Sequence, residues 1–366
     1  MDELVNEIDA ATANIRTEPL DLTVGELLNL HREGELIIKP DYQRLFRWSV
    51  GQRSRLIESL LVGLPIPQIF MFQADDGVLE LVDGLQRVSS LIHFIDQTLL
   101  AEEVRAKPPN DQPLTLDECD LLENLNGLTY KELPKLLQLE LKRKPMRAVV
   151  IKRTNEQEVR YQMFKRLNAG GEEATRQEIR NATVRILGQP GIEFLQFLEE
   201  CATQPRFVEC TQTIPDATAA TLGLHELVLR YLAVKNFRGS FKGSIADWLD
   251  AYIEAILING EPFERLNEWN TFVELFEALA EKLGAGAFVK YRDSKPVGAL
   301  APAYFEAVTM GALGSLDSFK ALTPEAAVQR LADTVSGDEF RAVTGPGANS
   351  LPKLNERIRL IQVAFA

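Results

Sequence analysis

Apolar residues in the first half of the chain fall in short runs separated by helically spaced stretches. Pro19 to Val24, Leu36 to Ile38, Ile69 to Gln73 and Val78 to Val82 read as strands. Gly25 to Glu33, Ser49 to Leu61 and Leu85 to Phe94 read as helices between them. Ser49 suits the N-cap of its helix. Leu56, Leu60 and Leu64, with Ile57 and Leu61, form the expected buried stripe. Gly63 stops that helix, and Pro65 and Pro67 keep the chain extended into the next strand. Asp75-Asp76-Gly77 is a tight-turn sequence. Ala101 to Asp120 is polar and holds Pro108, Pro109 and Pro113, which predicts an exposed insertion. A helix over Tyr130 to Leu139 follows, with Pro134 leaving its start open. A buried strand over Arg147 to Arg153 and helices over Gln157 to Leu167 and Thr175 to Arg185 complete this half.

Beyond Leu187 the strand signals fade. Ile192 to Cys201, Leu222 to Val234, Ile245 to Ile258, Asn270 to Leu283, Pro302 to Leu313, Pro324 to Thr334 and Pro352 to Ala366 all carry helical apolar spacing. The chain has 366 residues, more than the ~250–300 at which single cores stop growing. The pattern therefore predicts an α/β (α+β) domain over residues 1–185 and an all-α helical domain over 186–366. Gly188-Gln189-Pro190-Gly191 is the expected linker.

Charge narrows the function classes. The net charge of -13 opposes a general nucleic-acid coat, which needs a basic field, but leaves room for a local basic cleft. Lys142 to Arg166 is such an island, facing a polyanion or simply solvent. Cys119, Cys201 and Cys210 form no CxxC pair, so buried thiols are expected rather than a disulfide framework or zinc site. Met1 to Thr17 is polar and acidic without an apolar leader core, and no run is long and apolar enough to span a bilayer. The expectation is a cytoplasmic protein with no membrane partner. No P-loop, HExxH or GxSxG motif occurs, and no HNH nuclease finger is visible.

Three clusters carry candidate chemistry. The first is Asp83-Gly84-Leu85-Gln86-Arg87, where a strand runs into a helix. A helix start presents unpaired N–H groups and a partial positive charge, a natural phosphate site. Gly84 allows close backbone approach, Asp83 could hold a metal or act as a base, and Arg87 could fork onto phosphate oxygens. The competing reading is an Asp N-cap with a structural Arg salt bridge, and caps are far commoner than sites. The second cluster runs from Pro40 to Trp48 and holds Tyr42, Gln43, Arg44, Phe46, Arg47 and Trp48. It suits base stacking and phosphate contact, or an aromatic latch closing the domain. The third is Lys165-Arg166-Leu167-Asn168-Ala169-Gly170-Gly171, either an anion cradle or a left-handed helix C-cap.

In this order the clusters resemble the family of the N-terminal domain of the GmrSD modification-dependent restriction enzymes, known by a DGQQR-type motif. The resemblance rests on Ile38-Lys39-Pro40-Asp41-Tyr42-Gln43-Arg44, then Trp48, then Arg53 with Ile57-Glu58-Ser59-Leu60-Leu61, Gly63 and Pro65-Ile66-Pro67. It continues through Asp83-Gly84-Leu85-Gln86-Arg87, Phe164 to Gly171 and Glu178-Ile179-Arg180-Asn181-Ala182. The segment Glu226 to Ala233 in the helical half is similar to one in longer members. The family implies a ParB/sulfiredoxin-like fold that binds or hydrolyses nucleotides, often coupled to DNA cleavage in phage defence. By that resemblance Asp83, Gln86 and Arg87 are the motif residues, Gln43 and Arg44 the YQR-type pair, and Asn168 the loop asparagine. Leu85 departs from the motif, standing where its first Gln belongs. No appended nuclease motif follows the helical half.

The expected activity is nucleoside triphosphate binding and hydrolysis with Mg²⁺. Asp83 would hold the metal or orient water, and Arg87 and Arg44 would clamp phosphates. Gln43, Gln86 and Asn168 would position water, phosphate or base, with Tyr42, Gly84, Lys165, Arg166 and Gly170 completing the phosphate and nucleotide surface. Two alternatives stay open: a metal-dependent DNA nuclease in the same cleft, and a non-enzymatic nucleotide or modified-DNA sensor acting on a partner nuclease. A homo-oligomer is left open.

Overall fold

The first strand, β1 (Thr17–Thr23), passes into α1 (Val24–Arg32) at Thr23. The Thr23 hydroxyl accepts the N–H of Glu26 at 3.2 Å, and the Glu26 carboxylate accepts the N–H of Thr23 at 2.7 Å. This reciprocal cap satisfies donors that a helix start leaves unpaired, and it ends the strand one residue before the sequence pattern did. The computed structural model of the protein describes residues 4–5, 16–38, 48–74, 76–100, 110–152, 161–162, 165–166, 176–185, 187–219, 221–292, 294–345 and 347–366. They fall into two compact units, Met1–Ala174 and Thr175–Ala366.

In the first unit a five-stranded sheet has the order β1-β5-β3-β4-β2. Its remaining strands are β2 (Leu36–Ile37), β3 (Ile69–Gln73), β4 (Leu79–Asp83) and β5 (Pro145–Ile151). β1 and β5 are antiparallel, β5 and β3 parallel, β3 and β4 antiparallel, and β4 and β2 parallel. α2 (Val50–Val62) starts at Ser49, whose hydroxyl accepts the N–H of Gln52 while the Gln52 side chain accepts the N–H of Ser49 at 2.8 Å. Leu56, Ile57 and Leu60 are buried as the stripe predicts. Leu64 is not. Gly63 takes the left-handed conformation (φ 87°), which turns the chain out of the helix, and Leu64 stands 46% exposed.

α3 (Leu85–Ile95) and α4 (Lys135–Arg143) follow in the same unit. The helix expected from Tyr130 begins instead at Lys135. Tyr130–Glu132 forms a short 3₁₀ turn and Pro134 becomes the cap, because proline is tolerated at a helix start and not within it. The exposed insertion is overturned for its described part: Leu114, Leu116 and Cys119 are buried in the core with Leu27, Ile57, Met71 and Leu91. Ala101 to Pro109 lie outside the described residues, as do Asp75 and most of the expected Gln157–Leu167 helix.

Among the described residues the second unit is helical apart from one hairpin and the connecting turns. Its helices are α5 (Arg176–Arg185), α6 (Gln189–Ala202), α7 (Pro205–Thr211), α8 (Asp216–Ala219), α9 (Gly223–Asn236), α10 (Ile245–Leu257), α11 (Arg265–Lys282), α12 (Pro302–Gly314), α13 (Leu316–Ala321), α14 (Pro324–Ser336), α15 (Asp338–Ala342) and α16 (Leu351–Phe365). The hairpin joins β6 (Lys290–Arg292) and β7 (Lys295–Val297). Gly188 to Gly191 is not a linker. Gly188 caps α6, and a Cβ on Gly191 would come 2.0 Å from the Val184 carbonyl oxygen. The glycine is there because α5 and α6 meet at a close corner.

A chain of alternating charges crosses this unit's interior. Asp250 accepts from Arg180 Nε at 2.6 Å, and Glu226 lies 3.4 Å from Arg180 and 3.1 Å from Arg230. Glu306 then takes Arg230 at 2.7 Å and Arg357 on its other oxygen. Arg180, Arg230, Glu306 and Arg357 are all buried. The charges balance along the chain, which offsets the desolvation each ion suffers.

Candidate active site at the β4–α3 turn

β3 and β4 pair Phe70 with Asp83 but Met71 with Leu81. Val82 is therefore the extra residue of a bulge, the device by which a strand re-aims the side chain that follows. Asp83 ends β4, and Gly84 caps α3 in the left-handed conformation (φ 101°) with no side-chain cap. A Cβ at Gly84 would lie 2.4 Å from Ile69 Cγ2. Glycine is required here by its φ and by Ile69, so the space it opens is filled by protein rather than left for a ligand.

Asp83 is not the N-cap that the bland sequence reading expected, but its salt bridge is present. Its Oδ2 accepts from Arg87 Nη2 at 2.8 Å. Arg87 Nη1 donates to the carbonyls of Gln68, at 2.9 Å, and Pro67. Arg87 thus ties the extended Pro67–Gln68 segment to the turn. A guanidinium has five N–H donors, and Nε–H and one Nη2–H have no partner among the described residues. Asp83 Oδ1 is likewise outside any described bond. Gln86 Oε1 accepts the N–H of Trp48 at 3.3 Å, so the end of the aromatic–arginine segment meets the turn.

The remaining expected site residues divide. Tyr42, Gln43, Arg44, Asn168 and Gly170 lie outside the described residues. Lys165 and Arg166 are helical, Lys165 half-buried and Arg166 exposed. Part of the basic island is paired where it is described: Lys152 with Glu18 at 2.8 Å and Lys144 with Glu140 at 3.0 Å, while Arg147 reaches Asp21 at 4.0 Å. The three cysteines are buried, and burial pushes the Cys119 thiol up to about 11.

Sequence reasoning missed a buried pair between α2 and α3. Arg53, on α2, is 3% exposed and His93, on α3, 1% exposed. Arg53 Nη1 lies 3.0 Å from His93 Nδ1, and His93 Nε2 lies 2.8 Å from the Gln112 carbonyl. That pattern assigns the neutral ring with its proton on Nε2, donating to Gln112 and accepting from Arg53. Burial holds the His93 pKa below its ordinary value, against the Gln112 bond, and the Arg53 charge lowers it further. Both face a cleft of about 580 Å³ with Asp111 and Asp117 on its wall. Nearby, Glu58 on α2 is buried and its Oε1 accepts the N–H groups of Leu121 and Leu122, each at 2.7 Å. The legible signal was a charged residue inside an apolar stripe, Arg53 with Leu56, Ile57 and Leu60.

Fold and site together define a mixed-sheet α/β domain with a strand–bulge–glycine–helix turn bearing an Asp–Arg pair, followed by a helical unit. Residues 24–185 match the model of the family described as the GmrSD restriction endonuclease, N-terminal domain, and this segment carries a domain of that family. Neither the curated proteins nor the solved structures compared with the chain contain a match.

Proposed function

We propose that the α/β domain binds a nucleoside triphosphate with Mg²⁺ at the β4–α3 turn and hydrolyses it in the service of DNA restriction. The observation that carries this reading is the Trp48–Gln86 bond, which brings Trp48, the last residue of the Pro40–Trp48 cluster, to the Asp83–Arg87 turn. α3 starts without a side-chain cap, and an anion bound there would meet N–H groups that a helix start leaves without intrahelical partners. Arg87 is held in place with two donors to spare, and Arg44 would supply the second phosphate clamp. Gln43, Gln86 and Asn168 would orient water or base. The turn itself, Asp83 to Arg87, holds one carboxylate for the metal, Asp83. That fits a Mg²⁺ held chiefly by phosphates and water with one or two carboxylates, where it would neutralise charge on the phosphates.

The test is phosphate release from Mg²⁺–nucleotide by wild type and Asp83→Asn. The rate is expected to fall at least about a hundredfold, with the unfolding midpoint little changed. Equal rates contradict the catalytic role. A second reading, a sensor that binds without turnover, is favoured by the Asp83–Arg87 pair itself, since Asp83 is already partly neutralised. It predicts nucleotide binding with no release in either protein. The nuclease alternative has no group of metal-ligating side chains among the described residues to support it.

A further inference from the structure

The helical unit carries positive charge that none of the above uses. The hairpin register sets Lys290 opposite Val297, Tyr291 opposite Pro296 and Arg292 opposite Lys295. Directly opposed residues, and residues two apart on a strand, share a face. Lys290, Arg292 and Lys295 therefore stand together, all exposed. None forms an ion pair with a carboxylate among the described residues, and like charges directly opposite are destabilising. Tyr291 points to the other face, where its hydroxyl donates to the Gly286 carbonyl at 3.0 Å.

β6 borders a cavity of about 590 Å³, which Tyr291 lines beside Lys290 and Arg292, together with Tyr304, Ser336, Arg341 and Thr344. No described carboxylate lines it. Arg341 has only a long contact, 3.6 Å, to the fully exposed Asp338. Tyr304 is buried, packed edge-on against Phe340 at 5.1 Å, with its hydroxyl near Thr344 and Arg341. Thr344 Oγ1 donates to the Phe340 carbonyl at 2.8 Å, which fixes the hydroxyl as an acceptor.

We infer that this cavity is a phosphate site on the helical unit, taking a terminal phosphate group: free phosphate, pyrophosphate or a phosphate monoester. Lys290, Arg292 and Arg341 would supply charge-assisted bonds, and Ser336 a neutral donor. Three cations around one concavity suit a terminal phosphate with its extra charge and open oxygens better than a phosphodiester, which has one charge and two substituents. The volume is ordinary for a small-ligand site. The monoester could belong to a mononucleotide or to the terminus of a nucleic-acid strand. The inference is independent of the proposal for the α/β domain.

Calorimetric titration of the full chain with inorganic pyrophosphate tests it. Wild type is expected to bind, and Arg292→Ala and Arg341→Ala each to weaken binding at least about tenfold. Arg359→Ala, which removes the same charge from an exposed position on α16, is expected to leave it unchanged. Competition by a nucleoside monophosphate, or by an oligonucleotide with a terminal phosphate but not its hydroxyl twin, would support the site and identify the source. No binding by wild type, or equal binding by the Arg292→Ala and Arg341→Ala variants, overturns it. Loss of binding in Asp83→Asn with Arg292→Ala unaffected would place the anion in the α/β domain, overturning this inference and leaving the proposed function standing.

Discussion

Buried charge and hydrogen bonding decide the behaviour of single residues in the α/β domain. His93 is neutral in the folded chain because burial opposes its charge and Arg53 adds to the opposition. The unfolded chain therefore takes up a proton first as the pH falls. His93's contribution to stability is complete above its ordinary pKa near 6.5 and is lost as the pH drops below it toward the folded-state value. Urea unfolding between about pH 5 and 8 should show stability rising with pH in wild type and a flatter slope in His93→Gln. Parallel slopes would count against the neutral ring. Asp83 and Arg87 were legible as candidates because charges stand out where a strand meets a helix. The Arg53–His93 pair was not, since sequence spacing says nothing about partners forty residues apart.

At the scale of elements, local chemistry was read best where it acts over a few residues. The Ser49 cap and the Gly63 stop are present as the pattern predicts, and each rests on bonds within one turn. Three failures have physical reasons. The helix was expected from Tyr130, with Pro134 leaving its start open, and Pro134 is its cap. Gly188 to Gly191 looked like a linker and is a helix corner, because a glycine required by close packing has the same composition as one required by flexibility. The β6–β7 hairpin was invisible because its strands are three residues each and Pro296 lies in one of them. The bulge at Val82 was equally unreadable, although it sets the direction of Asp83.

For the whole molecule, the division into an α/β part and a helical part was legible from the change in apolar period. The interior ion chain was not, because Asp250, Arg180, Glu226, Arg230, Glu306 and Arg357 are spread over the second unit's sequence and meet only in its core. Breaking one buried member leaves its partners uncompensated, so Glu306→Gln should cost about 3–5 kcal/mol. Denaturant unfolding of the full chain measures this, and a loss below about 1 kcal/mol, the size of an exposed pair, would contradict a buried network. The central claim concerns the other unit, where the β4–α3 turn is read as a nucleotide phosphate site. Equilibrium titration of wild type and Gln86→Ala with each common nucleoside triphosphate in Mg²⁺ tests it most directly. The account predicts saturable binding of at least one nucleotide by wild type, weakened in Gln86→Ala; no binding of any nucleotide, or equal affinity in the two proteins, would contradict it.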